Sequence, residues 1–303
     1  LVGKARQGCG DIVSQNWSIG TRKVVWTPKA WEIRLDKCWT EIEATAAVYG
    51  LNKGGEVADL TNTNYMSIVV EVLSRAIREF IVRLAWFNDL DAENYIPANG
   101  QTPAGGGAIT PGVDTGYFNI LDGLWKQLLI QVAANPAQRV VIAENAGSTY
   151  ASQELSPDNV KTYLQQLKFK APITLRSKSD AFIACTQSVY DAWDMHLQGK
   201  ALESTYTNLV NGQKTLAFNG IPMIPMPVWD KIIGTCEDTG TKLNSPHRAL
   251  FATKDILAVG VDGEDSFEKM NIWYEKKDRK NYIELMGKAD AKLLNPAQFQ
   301  LAI

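Results

Sequence analysis

Two histidines in 303 residues is a low count for a chain that works by acid–base chemistry near neutral pH, because histidine is the side chain that titrates there. His196 falls near the end of an expected helix and His247 in the turn Ser245-Pro246-His247-Arg248, and neither has metal-ligand spacing. Both are read as structural or surface residues. No phosphate-cradling Gly-rich loop followed by Lys and Ser/Thr occurs, no dinucleotide fingerprint, and no Ser flanked by glycines as in a nucleophile elbow. Catalytic, cofactor-binding and metal residues are accordingly expected to be none, and no cofactor is expected. Excess positive charge is lacking too: 31 Lys plus Arg against 33 Asp plus Glu leave a net charge of -2. Such a chain has no field to condense on phosphates, which argues against a dedicated nucleic-acid binder. No apolar run approaches the ~20 residues that span a bilayer, and Leu1 to Asp11 lack a basic-then-apolar pattern, so a soluble chain without membrane contact or address is expected. Opening on Leu1 fits either trimming or removal of an N-terminal segment. The four cysteines, Cys9, Cys38, Cys185 and Cys236, form no knuckle or redox pair and are expected to be reduced.

What is present is an ordinary globular composition, 45% hydrophobic and 21% charged, at a length that fits two domains. The first twenty residues are polar and Gly-rich and read as an extended arm. From Arg22 to Leu51 apolar and polar residues alternate over much of the stretch, the pattern of half-buried antiparallel strands, with Pro28 at an edge or turn. Residues 61 to 88 place Tyr65, Ile68, Val69, Val72, Leu73, Ala76, Ile77, Phe80, Ile81 and Leu84 at three-and-four spacing, which predicts one long amphipathic helix of ~36 Å. A flexible loop follows from Pro97 to Gly116. Further helices are expected at 118 to 134, 157 to 169 and Ser188 to Leu197. Strands are expected at Arg139 to Ala143, Ile173 to Arg176 and Ala181 to Cys185. Asn219-Gly220 between apolar runs marks a hairpin, with the prolines after it confining its second arm to an edge. The last third adds strands near Ala249 to Ala252, Leu257 to Val261, Ile272 to Glu275, Tyr282 to Lys288 and Ala289 to Leu294. Without regular βαβ alternation the fold class is α+β.

Two charged stretches invite a chemical reading. Asp262-Gly263-Glu264-Asp265 is a solvated turn, with a weak divalent site as the alternative; Lys276 to Lys280 is a solvated loop, with a phosphate contact as the alternative. The nine tryptophans say more, since Trp17, Trp26, Trp31 and Trp39 crowd into one stretch. Core packing would account for them, and so would an interface, where Trp and Tyr are enriched.

In order, arm, β-excursion, long helix, mixed middle and returning strands resemble the major capsid proteins of tailed phages, the Hong Kong 97-like (HK97-like) type. Phe218-Asn219-Gly220-Ile221-Pro222-Met223-Ile224-Pro225-Met226-Pro227 is similar to a family segment in that region, followed by a strand pair like Arg248 to Val261. The ending Tyr282 to Phe299 resembles the family's closing hairpin and its Pro-Ala-aromatic finish. The resemblance implies an N-terminal arm over 1–21, an E-loop over 22–60, a P domain over 61–135 and 266–303 with its spine helix at 61–88, and an A domain over 136–265. It implies a structural, non-enzymatic shell protein that assembles with itself through pentamers and hexamers into an icosahedral head around double-stranded DNA. Partners would be portal, a possible decoration protein and weakly held packaged DNA. Localisation would be the virion, with assembly in the host cytoplasm. Trp26, Trp31 and Trp39 would be inter-subunit contacts. Some relatives cross-link subunits through Lys, Asn and Glu, and no position here matches that trio. An encapsulin-like nanocompartment would share the fold but hold protein cargo. A metabolic enzyme would be a compact monomer, and a tail or decoration protein would give tubes or trimers.

Overall fold

The computed structural model describes residues 23–38, 59–61, 63–91, 110, 113–198, 206–210, 213–261 and 270–303. Among them the strands are β1 (Lys29–Cys38), β2 (Arg139–Val140), β3 (Phe182–Cys185), β4 (Tyr206–Val210), β5 (Gln213–Phe218), β6 (Ile221–Pro225), β7 (Ala249–Ala252), β8 (Leu257–Val261), β9 (Met270–Glu275), β10 (Lys280–Leu293) and β11 (Gln300–Ala302). The helices are α1 (Asn64–Phe87), α2 (Leu124–Ala134), α3 (Pro157–Lys170), α4 (Ile173–Arg176), α5 (Gln187–Gln198) and α6 (Pro227–Cys236). The arm over 1–21, Trp39, the loop from 97 to 109 and the acidic stretch 262–265 lie outside the described residues.

Two sheets organise these elements. In the first, β10 is the centre: β1 runs antiparallel along it from Lys29↔Ala289 to Cys38↔Lys280, while β9 and β8 pair with its other side at 280–285 and 289–293. Period-two alternation fixes which face is buried. Ile283, Leu285, Ala289 and Ala291 point inward with Trp31 of β1, and Met286 and Lys288 point outward. Helix α1 covers the inner face with Met66, Ile77 and Leu84. Its start is secured by Thr63, whose hydroxyl accepts from the Met66 amide at 3.3 Å, and by the Leu60 amide, which donates to Asn281 Oδ1 of β10 at 2.9 Å.

The second sheet has the order β2-β11-β7-β3-β6-β5-β4, with β11/β2 and β3/β6 parallel and the other pairings antiparallel. Its central strands are covered on both faces. Ala249 and Phe251 of β7 meet Leu164 of α3 and Trp193 of α5 in one core, and Leu250 and Ala252 meet Trp125 of α2 and Trp229 of α6 in another. That is why Ala249–Ala252 reads as an unbroken apolar run instead of alternating. The expected hairpin is formed, Asn219 and Gly220 with φ of 49° and 82° joining β5 to β6 at Phe218↔Ile221, but its second arm is not at an edge: β6 lies between β5 and β3.

Several expectations need correction. Ile173–Arg176 is a short helix, not a strand, because Pro172 and the amides of Leu175 and Arg176, which donate to the Pro172 carbonyl, start a helical turn. The two strands expected at 282–288 and 289–294 are one strand of 14 residues. The helix expected from 118 begins at Leu124, since Phe118 to Gly123 is held instead by the end of α1: the Ile120 amide donates to Asn88 Oδ1 at 3.1 Å and the Gly123 amide to the Asn88 carbonyl at 2.7 Å. Strand pairing also crosses the boundary drawn at 265: β8 joins the sheet of β10, and β11 joins the sheet of β3 and β7.

Candidate inter-subunit surfaces

Trp31 and Trp26 occupy different environments. Trp31 is 4% exposed, its ring 5.1 Å from that of Phe80 on α1. Its cross-strand partner is Gly287, where a Cβ would lie 2.7 Å from the Trp31 ring, so the ring takes the space a side chain there would need. Within the chain the Trp31 ring is covered by β10 and α1. Trp26 lies across the outer face of the sheet at Gly260 and is 40% exposed beside Val25 at 57%. The adjacent Thr27 amide donates to the buried Asp290 carboxylate at 2.8 Å, which holds this stretch down on β10. Trp26 is thus anchored and partly uncovered, whereas Trp39 lies outside the described residues.

Among the described strands β1 pairs with β10 alone and forms the edge of its sheet. Between β1 and α1 lies a groove of about 490 Å³, lined by Ile33, Leu35, Leu73, Phe80, Arg83 and Tyr117. The Arg83 guanidinium stands 5.7, 5.5 and 5.8 Å from the rings of Phe80, Tyr117 and Phe118, and no carboxylate of the described residues pairs with it. Further along α1, Ile68 and Val72 are 62% and 60% exposed at i, i+4 spacing, a second apolar stripe on a helix whose other face is already buried. Arg83 was not distinguishable in the sequence from the other polar residues of α1, because its setting depends on Tyr117 and Phe118, more than thirty positions away.

The buried polar groups are tied into the scaffold. Lys126 on α2 bonds Asp89 at 2.5 Å and Asp91 and Asp122 at 2.7 Å each. Burial alone would lower its pKa, but the bonds to Asp122, Asp89 and Asp91 outweigh that and hold it well above the ordinary lysine value. Arg248 and Glu237, each 1% exposed, pair at 2.5 Å, with the guanidinium against Phe87 and Trp125. His247 is 5% exposed; its Nδ1 lies 2.7 Å from Ser188 Oγ and its Nε2 2.5 Å from the Gln153 carbonyl. Burial pushes the imidazole below the usual histidine range, against the pull of the Gln153 carbonyl and Glu144. This hydroxyl–imidazole pair is the nearest thing to a nucleophile and base among the described residues. The amides an oxyanion would need at the start of α5 are engaged, however: Asp230 accepts from the Gln187 amide at 2.8 Å and from Ser188. His196 stacks on Trp193 and lies 3.3 Å from Asp158. Buried Cys185 has its thiol pushed far up by burial. Among the described residues no group of three or more His, Cys, Asp or Glu could hold a metal ion, and no helix is long and apolar enough to cross a membrane.

No family model matches the chain, and no curated protein matches it. Solved structures do. A chain of the satellite phage P4 procapsid including the size-determination protein is 8% identical, aligned over 99% of this chain and 84% of its own, with a TM-score of 0.50. A Mycobacterium phage Ogopogo chain aligns over 97% and 82% at 10% identity and a TM-score of 0.46. The SrpI encapsulin of Synechococcus elongatus PCC 7942 aligns over 91% and 74% at 10% identity and a TM-score of 0.42. The match to the P4 procapsid chain extends over nearly the whole chain, which has the α+β, HK97-like fold of phage capsid proteins.

Proposed function

We propose that this chain is the major capsid protein of a tailed phage, a structural subunit without enzymatic activity that assembles through pentamers and hexamers into an icosahedral head enclosing double-stranded DNA. The observation that carries this reading is the procapsid-type fold over the length of the chain. The exposed Trp26 and the second apolar stripe of α1, Ile68 and Val72, support it, because large apolar side chains left exposed on one subunit suit contact with another. On this reading 22–60 is the E-loop, 61–135 with 266–303 the P domain and 136–265 the A domain, β8 and β11 lending their pairing across that division. Trp26 and Trp39 are the tryptophans left for a neighbouring subunit. Portal and a possible decoration protein would be partners, and the balanced charge suits an inner wall that touches packaged DNA weakly. The protein belongs to the virion and assembles in the host cytoplasm.

Expression followed by light scattering and negative-stain microscopy tests the proposal. Capsomers or closed shells are expected. A monodisperse ~34 kDa particle under all assembly conditions, the mass of one chain of 33.5 kDa, overturns it. Shells purified with enclosed protein instead of DNA would indicate an encapsulin-like compartment.

A further inference from the structure

Helix α3 is charged oppositely at its two ends. Glu154 precedes it and Asp158, with 85% of its side chain exposed, sits in its first turn; Lys168 and Lys170 close it, and Arg176 and Lys178 follow. Within one chain the helix dipole already favours that order. It does not account for the large apolar side chains left in water beside each end. At the basic end Phe169 is 59% exposed and Ile173 is 75% exposed. At the acidic end Met195 is 59% exposed, next to His196, whose Nδ1 lies 3.3 Å from Asp158. Met195 shares the outward stripe of α5 with Asp191, Asp194 and Gln198. Asp158 and Lys170 are twelve residues apart on α3, ~18 Å along its axis. The two patches are therefore separate surfaces of complementary charge, each with an apolar centre.

We propose that the Phe169/Ile173 end, flanked by Lys168 and Lys170, docks head to tail onto the Met195 face with its Asp191 and Asp194, together with the acidic start of α3, Glu154 and Asp158, of a second copy of this chain. The proposal rests on the shell reading above and names the surface through which subunits follow one another around a ring. A contact between unlike patches repeats in one sense and closes when the rotation per subunit allows. Apolar burial at Phe169 gives it affinity, and the charges select the pairing against basic-on-basic or acidic-on-acidic approach.

Charge reversal tests it in the full chain. Glu154→Lys with Asp158→Lys makes both ends basic, and Lys168→Glu with Lys170→Glu makes both acidic. Each variant alone is expected to lose at least about tenfold in assembled fraction at low salt, where exposed charges are least screened, with circular dichroism unchanged. Mixed in equal amounts they are expected to assemble again, but only in alternation, so even-numbered rings such as hexamers form and pentamers do not. Because Lys168 also donates to the Asn219 carbonyl at 3.3 Å, Phe169→Ser supplies a second reading: a folded variant with impaired assembly at every salt concentration. Folded reversal variants that assemble within about twofold of the parent, or fail to rescue each other on mixing, overturn this docking while leaving the shell reading standing. Assembly of the parent that stops at two-fold dimers overturns the head-to-tail geometry. A parent chain that never associates overturns both readings.

Discussion

Trp31→Ala and Trp26→Ala should separate cleanly in a measurement of subunit stability. Trp31 is 4% exposed, and a tryptophan buries up to ~250 Å², so at ~25 cal/mol per Å² its ring accounts for ~6 kcal/mol of gross burial. That is an upper figure, since the unfolded chain already hides part of the ring. The substitution also leaves a cavity that β10 cannot fill, because the position facing the ring is Gly287, and α1 holds Phe80 on the far side. The loss should fall in the ~3–5 kcal/mol range typical of large-to-small aromatic substitutions in cores. Trp26 is 40% exposed and lies over Gly260 on the outer face, so the same rule gives ~4 kcal/mol of gross burial, again an upper figure, and because its truncation opens to solvent and leaves no enclosed cavity the cost to the subunit should fall below that of Trp31→Ala. Urea titrations followed by circular dichroism, below assembly concentration, compare the two. Trp31→Ala is expected to move the midpoint strongly with little change in slope, and Trp26→Ala is expected to move it less while weakening assembly. Equal losses below ~1 kcal/mol for both would refute the placement of Trp31 between β10 and α1.

Lys126→Met should destabilise the subunit by ~3–5 kcal/mol, because it strands the fully buried Asp89 carboxylate without its cation, and Asp91 and Asp122 are too exposed to share the loss; thermal unfolding of the purified subunit reads this. Gly220→Val should cost more than ~1 kcal/mol in the same assay, since a β-branched residue is strained at the φ of 82° that the β5–β6 turn requires. The pKa of His247 is lowered by folding, so the native state binds fewer protons than the unfolded chain. The stability this group contributes is present above the unfolded value of ~6.5 and is lost as pH falls below it, at up to ~1.4 kcal/mol per pH unit. His247→Gln should remove that part of the acid slope in denaturant titrations between pH 7 and pH 5; an unchanged slope contradicts the assignment.

Much of the fold was legible where local pattern and tertiary setting agree. α1 could be placed from its apolar spacing, and the β5–β6 hairpin from Asn219-Gly220, because both depend on neighbours within a few residues. α6 went unforeseen: Pro222, Pro225 and Pro227 suggested an edge strand, yet Pro227 sits at the first helical position, where its missing N–H costs nothing. What seats α6 is Trp229, packed with its ring 4.6 Å from Trp86 and 4.8 Å from Trp125, two residues that approach it only in the folded chain. The tryptophans of the 22–51 stretch illustrate the same limit. Core and interface explanations were equally compatible with their spacing, and the choice turns on what each ring faces across β10. Trp31 faces Gly287 and turns inward toward α1, whereas Trp26 precedes the strand and lies over Gly260 on the outward side. Two tryptophans five residues apart thus lie on opposite faces of one sheet, each over a glycine more than two hundred residues away. A pattern read along the chain supplies the alternation, but it does not supply the register of β1 against β10 that decides which side becomes core.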